Sequence, residues 1–141
     1  MKARYDIQME EYCKVLCVEA KTMVTMAQKE ILPAVMDFLQ ATSYSATCLK
    51  NYNPNFKCLA QETILSKTTT LCDNLVLNIE KLENSLSKSK ESLDLTEEAK
   101  FYTNHVIPAM EELRITVDEL ETLVGEKYWP FPTYGDLLFR I

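Results

Sequence analysis

From Ala3 to Ala41 the apolar residues recur in steps of three and four: Tyr5, Met9, Tyr12, Leu16, Ala20, Met23, Ala27, Ile31, Ala34, Phe38 and Ala41. That is the stripe of an amphipathic helix, and it must be covered by other elements. At 1.5 Å rise per residue such a helix is a rod of roughly 58 Å. Only two glycines, Gly125 and Gly135, occur in 141 residues. A sheet protein with many tight turns needs more, so long helices with few turns are favoured. The length suits one domain with a sizeable core.

Pro33 falls inside the first stripe. Its missing N–H costs the bond to the carbonyl of Lys29, so a kink is expected near Lys29 to Pro33, with the helix continuing beyond it. Thr42 to Asn55 reads as a connection closed by Asn51-Tyr52-Asn53-Pro54-Asn55, with room for a short fourth helix over Tyr44 to Lys50 and with Asn55 as a helix cap. A second helix is expected over about 56–86, with a seam of Ile64, Thr68, Leu71, Leu75, Ile79, Leu82 and Leu86. Leu65, Cys72 and Val76 widen that seam, which suits two neighbours rather than one. The serine- and lysine-rich run Ser85 to Ser92 reads as a solvated loop.

A third helix is expected over about 95–125. Asp94 and Glu97 form a capping pair at its start, and Gly125 stands where a C-cap belongs. Its seam is Tyr102, Val106, Ala109, Leu113, Val117, Leu120 and Val124. Pro108 lies within it, in a context (Val106-Ile107-Pro108-Ala109-Met110) that parallels Ile31-Leu32-Pro33-Ala34-Val35. A second kink is expected there.

The composition, 47% hydrophobic and 26% charged, is that of a globular chain rather than a disordered one. A net charge of −6 argues against nucleic acid and anionic membranes as partners, since both demand Lys and Arg. No apolar run approaches the roughly 20 residues that span a bilayer. Met1 to Glu11 lacks the apolar core of a signal peptide. The five cysteines, Cys13, Cys17, Cys48, Cys58 and Cys72, therefore read as reduced thiols of a cytoplasmic protein. Cys13 and Cys17 share a helix face, but no second pair at zinc-site spacing accompanies them, and both read as small core residues.

The residues offer no active site. His105 is the only histidine. A di-metal bundle needs Glu-x-x-His on two helices, whereas Tyr102 precedes His105 by three. No Gly-rich phosphate loop and no nucleophile motif occur. No catalytic, cofactor-binding or metal-binding residue is assigned. The acids Glu111, Glu112, Asp118, Glu119, Glu121 and Glu126 form a charged face that reads as solvated. Glu19 and Arg114 both flank apolar seams, so a structural ion pair between them is expected at the edge of the core.

The tail, 127–141, is different in kind. Pro130 and Pro132 forbid helix, so Lys127-Tyr128-Trp129-Pro130-Phe131-Pro132-Thr133-Tyr134-Gly135-Asp136-Leu137-Leu138-Phe139-Arg140-Ile141 is an extended, aromatic ribbon. Such a ribbon must dock. Its candidate docking residues are Trp129, Phe131, Tyr134, Leu137, Leu138 and Phe139.

The tail together with Val106-Ile107-Pro108-Ala109-Met110, Leu113-Arg114 and Val117-Asp118-Glu119-Leu120-Glu121 resembles the extreme C-terminus of type III glutamine synthetases. Arg4-Tyr5, Glu11-Tyr12, Glu19-Ala20 and Ile31-Leu32-Pro33-Ala34 resemble the start of the same family's C-terminal helical region. The middle, Thr42 to Leu93, matches only as helix and loops. The resemblance implies a fragment of an enzyme that ligates ammonia to glutamate with ATP and Mg²⁺ in a ring-shaped oligomer, its catalytic and metal-binding residues lying in preceding domains. None of them transfers to this chain.

The expectation is therefore an all-α bundle of three long, proline-kinked antiparallel helices with an extended aromatic tail. Its function would be structural: contact with the catalytic domain of the same chain and with neighbouring subunits. A free-standing helical adaptor is the alternative reading, and a small metal or thiol enzyme on a bundle is a third.

Overall fold

The structure is a computed structural model that describes residues 2–91 and 94–131. Among the described residues the chain is helical, without strands. It forms three rods. The first joins α1 (Lys2–Met26), a π-helical turn (Ala27–Ile31) and α2 (Leu32–Tyr52). The second is α3 (Leu59–Ser89). The third joins α4 (Leu95–Phe101), a second π-helical turn (Tyr102–Val106) and α5 (Ile107–Leu123).

Consecutive rods run antiparallel, and the first and third run in the same direction, as Tyr12 meets Thr103 and Phe38 meets Tyr128. α3 packs on α2 and α1, α4 packs on α1, and α5 lies chiefly on α3. The core they enclose centres on Ala20, Val35, Leu75, Leu82, Val106, Leu113 and Leu120, each essentially free of solvent.

Pro33 and Pro108 each follow a π turn with one residue between. The N–H of Leu32 bonds the carbonyl of Ala27, five residues back, just before Pro33. The N–H of Ile107 bonds the carbonyl of Tyr102 in the same way before Pro108. A proline cannot donate to the carbonyl four residues back and its ring crowds that carbonyl. A widened turn takes up this mismatch without ending the helix. Beyond Pro33 the apolar stripe shifts by one position, whereas beyond Pro108 the buried Ala109, Leu113, Leu120 and Val124 keep theirs. Beyond Ile31 the buried residues are Val35 and Ala46, with Leu39 half-buried, rather than the expected run through Ala34 and Ala41.

Four expected boundaries are corrected. The first helix does not stop at Ala41: it runs to Tyr52 and absorbs the expected short helix over Tyr44 to Lys50. Its polar residues remain helical because Thr42 Oγ1 donates to the Phe38 carbonyl (2.9 Å) and Ser43 Oγ to that of Gln40 (3.1 Å). The first true breaker is Asn53-Pro54. There the Phe56 N–H bonds the Asn53 carbonyl at 3.0 Å, and the Asn55 N–H bonds Asn53 Oδ1 at 3.0 Å.

Asn55 is therefore a turn residue rather than a cap. The second helix starts at Leu59 after Cys58, whose φ of 49° places it in the left-handed region. Its far end passes Leu86 and reaches Ser89. Ser89 is buried rather than looped out, because its Oγ bonds the Leu86 carbonyl (2.6 Å) and the Tyr102 hydroxyl (3.2 Å). The last helix ends at Leu123 on an extended Val124 (φ −77°, ψ 132°), so Gly125 supplies no left-handed C-cap. Asp94 does cap as expected: its side chain accepts the N–H of Thr96 at 3.3 Å.

Candidate docking surface at the root of the tail

The chain leaves α5 through a tight turn. The N–H of Tyr128 bonds the Gly125 carbonyl at 2.9 Å, and that of Trp129 bonds the Gly125 and Glu126 carbonyls at 3.2 and 3.3 Å. This turn reverses the backbone onto the bundle. Tyr128 meets Phe38 of α2 edge to face, with ring centroids 5.8 Å apart. Trp129 enters the core and retains 8% of its exposure. Phe131 then stands edge-on to Trp129 at 6.4 Å and is half-buried.

Trp129 and Phe131 form one wall of an apolar cavity of about 290 Å³. Met23, Met26 and Ile31 of the first rod and Leu113 and Val117 of α5 complete it, with the exposed Arg114 and Glu121 at its border. Burial of large aromatics with edge-to-face partners stabilises by area and by ring electrostatics together. The root of the tail is thus part of the hydrophobic core of its own chain.

Of the six candidate docking residues, Trp129 and Phe131 are brought together here. Tyr134, Leu137, Leu138 and Phe139 lie outside the described residues, as does the rest of the tail from 132 onward. Tyr128 and Phe38 are part of the site but escaped the sequence reading. In sequence Phe38 reads only as a stripe residue, and nothing in a linear pattern says which end of a helix meets which tail.

The ion pairs among the described residues are Lys14–Glu10 at 3.3 Å, Lys81–Glu112 at 2.8 Å and Lys50–Glu62. The expected Glu19–Arg114 pair is not one of them. Both of its members are exposed, and Arg114 instead borders the Trp129 cavity. All three pairs are exposed and contribute little to stability. Glu62 holds the Lys50 ammonium above its ordinary pKa through their hydrogen bond.

Chemistry-bearing groups are scattered. His105 is exposed and lies against Phe101, ring centroids 4.7 Å apart. Cys13 is buried, and burial followed by the nearby charge of Glu98 pushes its thiol pKa up. Burial does the same to Cys72, with Asp73 adding to it. Raised pKa values make weaker nucleophiles at neutral pH. Among the described residues no three His, Cys, Asp or Glu side chains converge on a point that suits a metal ion. No described helix is long and apolar enough to cross a membrane.

The "Glutamine synthetase C-terminal domain" family matches residues 1–50. A glutamine synthetase of Butyrivibrio fibrisolvens is 28% identical over 139 residues, and the type-3 glutamine synthetase of Dictyostelium discoideum is 28% identical over 143. Each alignment takes in 99% of this chain. These likenesses support one assignment, a C-terminal glutamine synthetase domain. A glutamine synthetase of Bacteroides fragilis (strain YCH46) aligns over the same share of the chain at 20% identity.

The domain spans 20% of the length of each of these relatives. Because the alignments run almost end to end, the relationship takes in α3 and both of its flanking connections, where the residue patterns alone matched only as helix and loops.

Proposed function

We propose that this chain is a non-catalytic structural and assembly domain of a longer glutamine synthetase. That parent would ligate ammonia to glutamate with ATP and Mg²⁺, and its catalytic and metal-binding residues would lie in the part of the polypeptide that precedes the domain. The observation that carries the reading is the burial of Trp129 in the core beside Phe131. The root of the chain's most chemically distinctive segment is spent on packing, and among the described residues no three His, Cys, Asp or Glu side chains converge where a metal ion could sit.

In this account the root of the tail, Tyr128 to Phe131, clasps the third rod to the first. The remaining tail residues, Tyr134, Leu137, Leu138 and Phe139, stay candidates for contact with the catalytic body or with a neighbouring subunit of a ring oligomer. The domain binds no cofactor of its own and works in the cytoplasm with its parent.

The test is a pair of measurements on the full-length polypeptide and on a version lacking this domain. The number of subunits in the assembled particle is expected to fall when the domain is removed, and an unchanged number would argue against an assembly role. The purified domain is expected to show no glutamine formation from glutamate, ammonia and ATP. Turnover by the purified domain would overturn the reading. An upstream reading frame without a glutamine synthetase catalytic region would favour a free-standing helical adaptor instead.

A further inference from the structure

Helix α1 carries apolar residues on two faces. One is the core face, with Cys13, Ala20 and Val24. The other carries Ile7, Val15 and Val18, which are 57%, 55% and 64% exposed. Spacings of eight and three residues put these three on one line along the helix. Tyr5 and Tyr12, 56% and 41% exposed, extend the apolar surface towards the third rod, where the Tyr12 hydroxyl hydrogen-bonds Thr103 Oγ1 at 3.0 Å. Glu11 lies within this strip, four residues from both Ile7 and Val15, and the Lys14–Glu10 pair stands at its margin. An apolar strip with a charged margin is the ordinary build of a contact surface. A helix with apolar residues on two sides suits two covers; α3, α4 and α5 of the bundle are the first, on the core face.

The relatives supply the second. They are about five times as long as this chain, which covers 20% of each. The matching family is described as a C-terminal domain, so in those proteins the remaining length precedes α1. The strip over Tyr5 to Val18 covers the first turns of the first helix, within roughly 26 Å of where such a preceding segment joins.

We infer that the outer face of α1, centred on Ile7, Val15 and Val18, is the surface on which the preceding catalytic part of the same polypeptide packs. This rests on the reading of the chain as a domain of a longer glutamine synthetase. The face would be the seam between α1 and the enzyme body, closed within one chain rather than between copies.

The test uses the full-length polypeptide with single cysteines introduced at Val15→Cys, Val18→Cys and Leu77→Cys. Leu77 of α3 is a matched control, because it is 61% exposed here against 64% for Val18. Maleimide labelling is followed by peptide-resolved mass spectrometry, which separates these thiols from the exposed native Cys48. Cysteines at 15 and 18 are expected to label at least tenfold more slowly than the one at 77, and to keep that protection in single chains separated from the assembly. Equal rates at all three positions, fast or slow, would overturn the assignment. Protection that disappears when the assembly is taken apart would overturn it too, by giving the face to a second copy. A reading frame with no catalytic region upstream defeats the parent reading by itself, whereas the labelling pattern bears only on the face.

Discussion

Phe38 and Tyr128 are 90 positions apart in sequence, and their rings meet edge to face at 5.8 Å. This contact joins the second half of the first rod to the turn that follows the third. Trp129 lies next in sequence and fills the space between the rods. Truncating it removes a buried indole that the surrounding Met23, Met26, Leu113 and Val117 cannot fully replace. Trp129→Ala is expected to destabilise the domain by about 3–5 kcal/mol, read from urea denaturation. A change below about 1 kcal/mol would mean that the indole is not a core residue.

Gly125 invites the opposite expectation from the usual rule for a glycine after a helix. Its φ is not positive, and a Cβ added there would come no closer than 4.0 Å to Tyr128. Gly125→Ala should therefore stabilise the domain by about 0.4–1 kcal/mol through the unfolded chain. Destabilisation in thermal melting would show that the residue serves as a left-handed cap after all.

Thr68 is fully buried in α3, and its hydroxyl has no hydrogen-bond partner among the described residues. An unpaired buried hydroxyl costs about 1–3 kcal/mol of desolvation. Thr68→Val keeps the shape and removes that cost, so it is expected to raise the denaturation midpoint. A clear loss of stability would reveal a partner for the hydroxyl.

Tyr102 brings a pH dependence. Burial is the main reason its phenol rises from the usual 10 to about 12, and contact with Cys17 adds to it. The folded state thus prefers the protonated ring more strongly than the unfolded state does. Its contribution is fully present below pH 10 and is lost as pH climbs from 10 through about 12. Tyr102→Phe should cost about 0.5–1.5 kcal/mol at neutral pH, through the lost bond to Ser89. The gap between wild type and variant should narrow across that alkaline window in denaturation at stepped pH. A gap that is constant with pH would contradict the assigned environment.

Much of the fold was legible in the residues, and the exceptions have physical causes. The seams of the second and third rods follow a strict helical period, so Leu75, Ile79, Leu82, Leu113 and Leu120 were found where expected. Past Pro33 the reading failed by one residue. Ala34 and Val35, and Phe38 and Leu39, are adjacent apolar pairs that either phase of the stripe could use, so the period alone does not choose between them. Val35 is buried and Phe38 half-buried, while the expected Ala41 is exposed.

Helix ends were misplaced wherever polar residues looked like loop formers. Thr42 and Ser43 satisfy their hydroxyls on the helix itself, and Ser89 finds a buried partner in Tyr102. That Trp129 and Phe131 pack rather than stay in water was readable from the prolines and aromatics around them. Phe38 as the partner of Tyr128 was not, because that pairing depends on how the rods align.

The central claim is that the root of the tail is core rather than free ribbon, and the chain contains a single tryptophan with which to test it. The fluorescence of Trp129 can be followed through thermal unfolding alongside helical circular dichroism. If the account is right, the folded domain emits at the blue end of the tryptophan range and resists acrylamide quenching. Its red shift then coincides with the loss of helix. A solvent-like emission in the folded state, or a red shift that precedes helix melting, would contradict it.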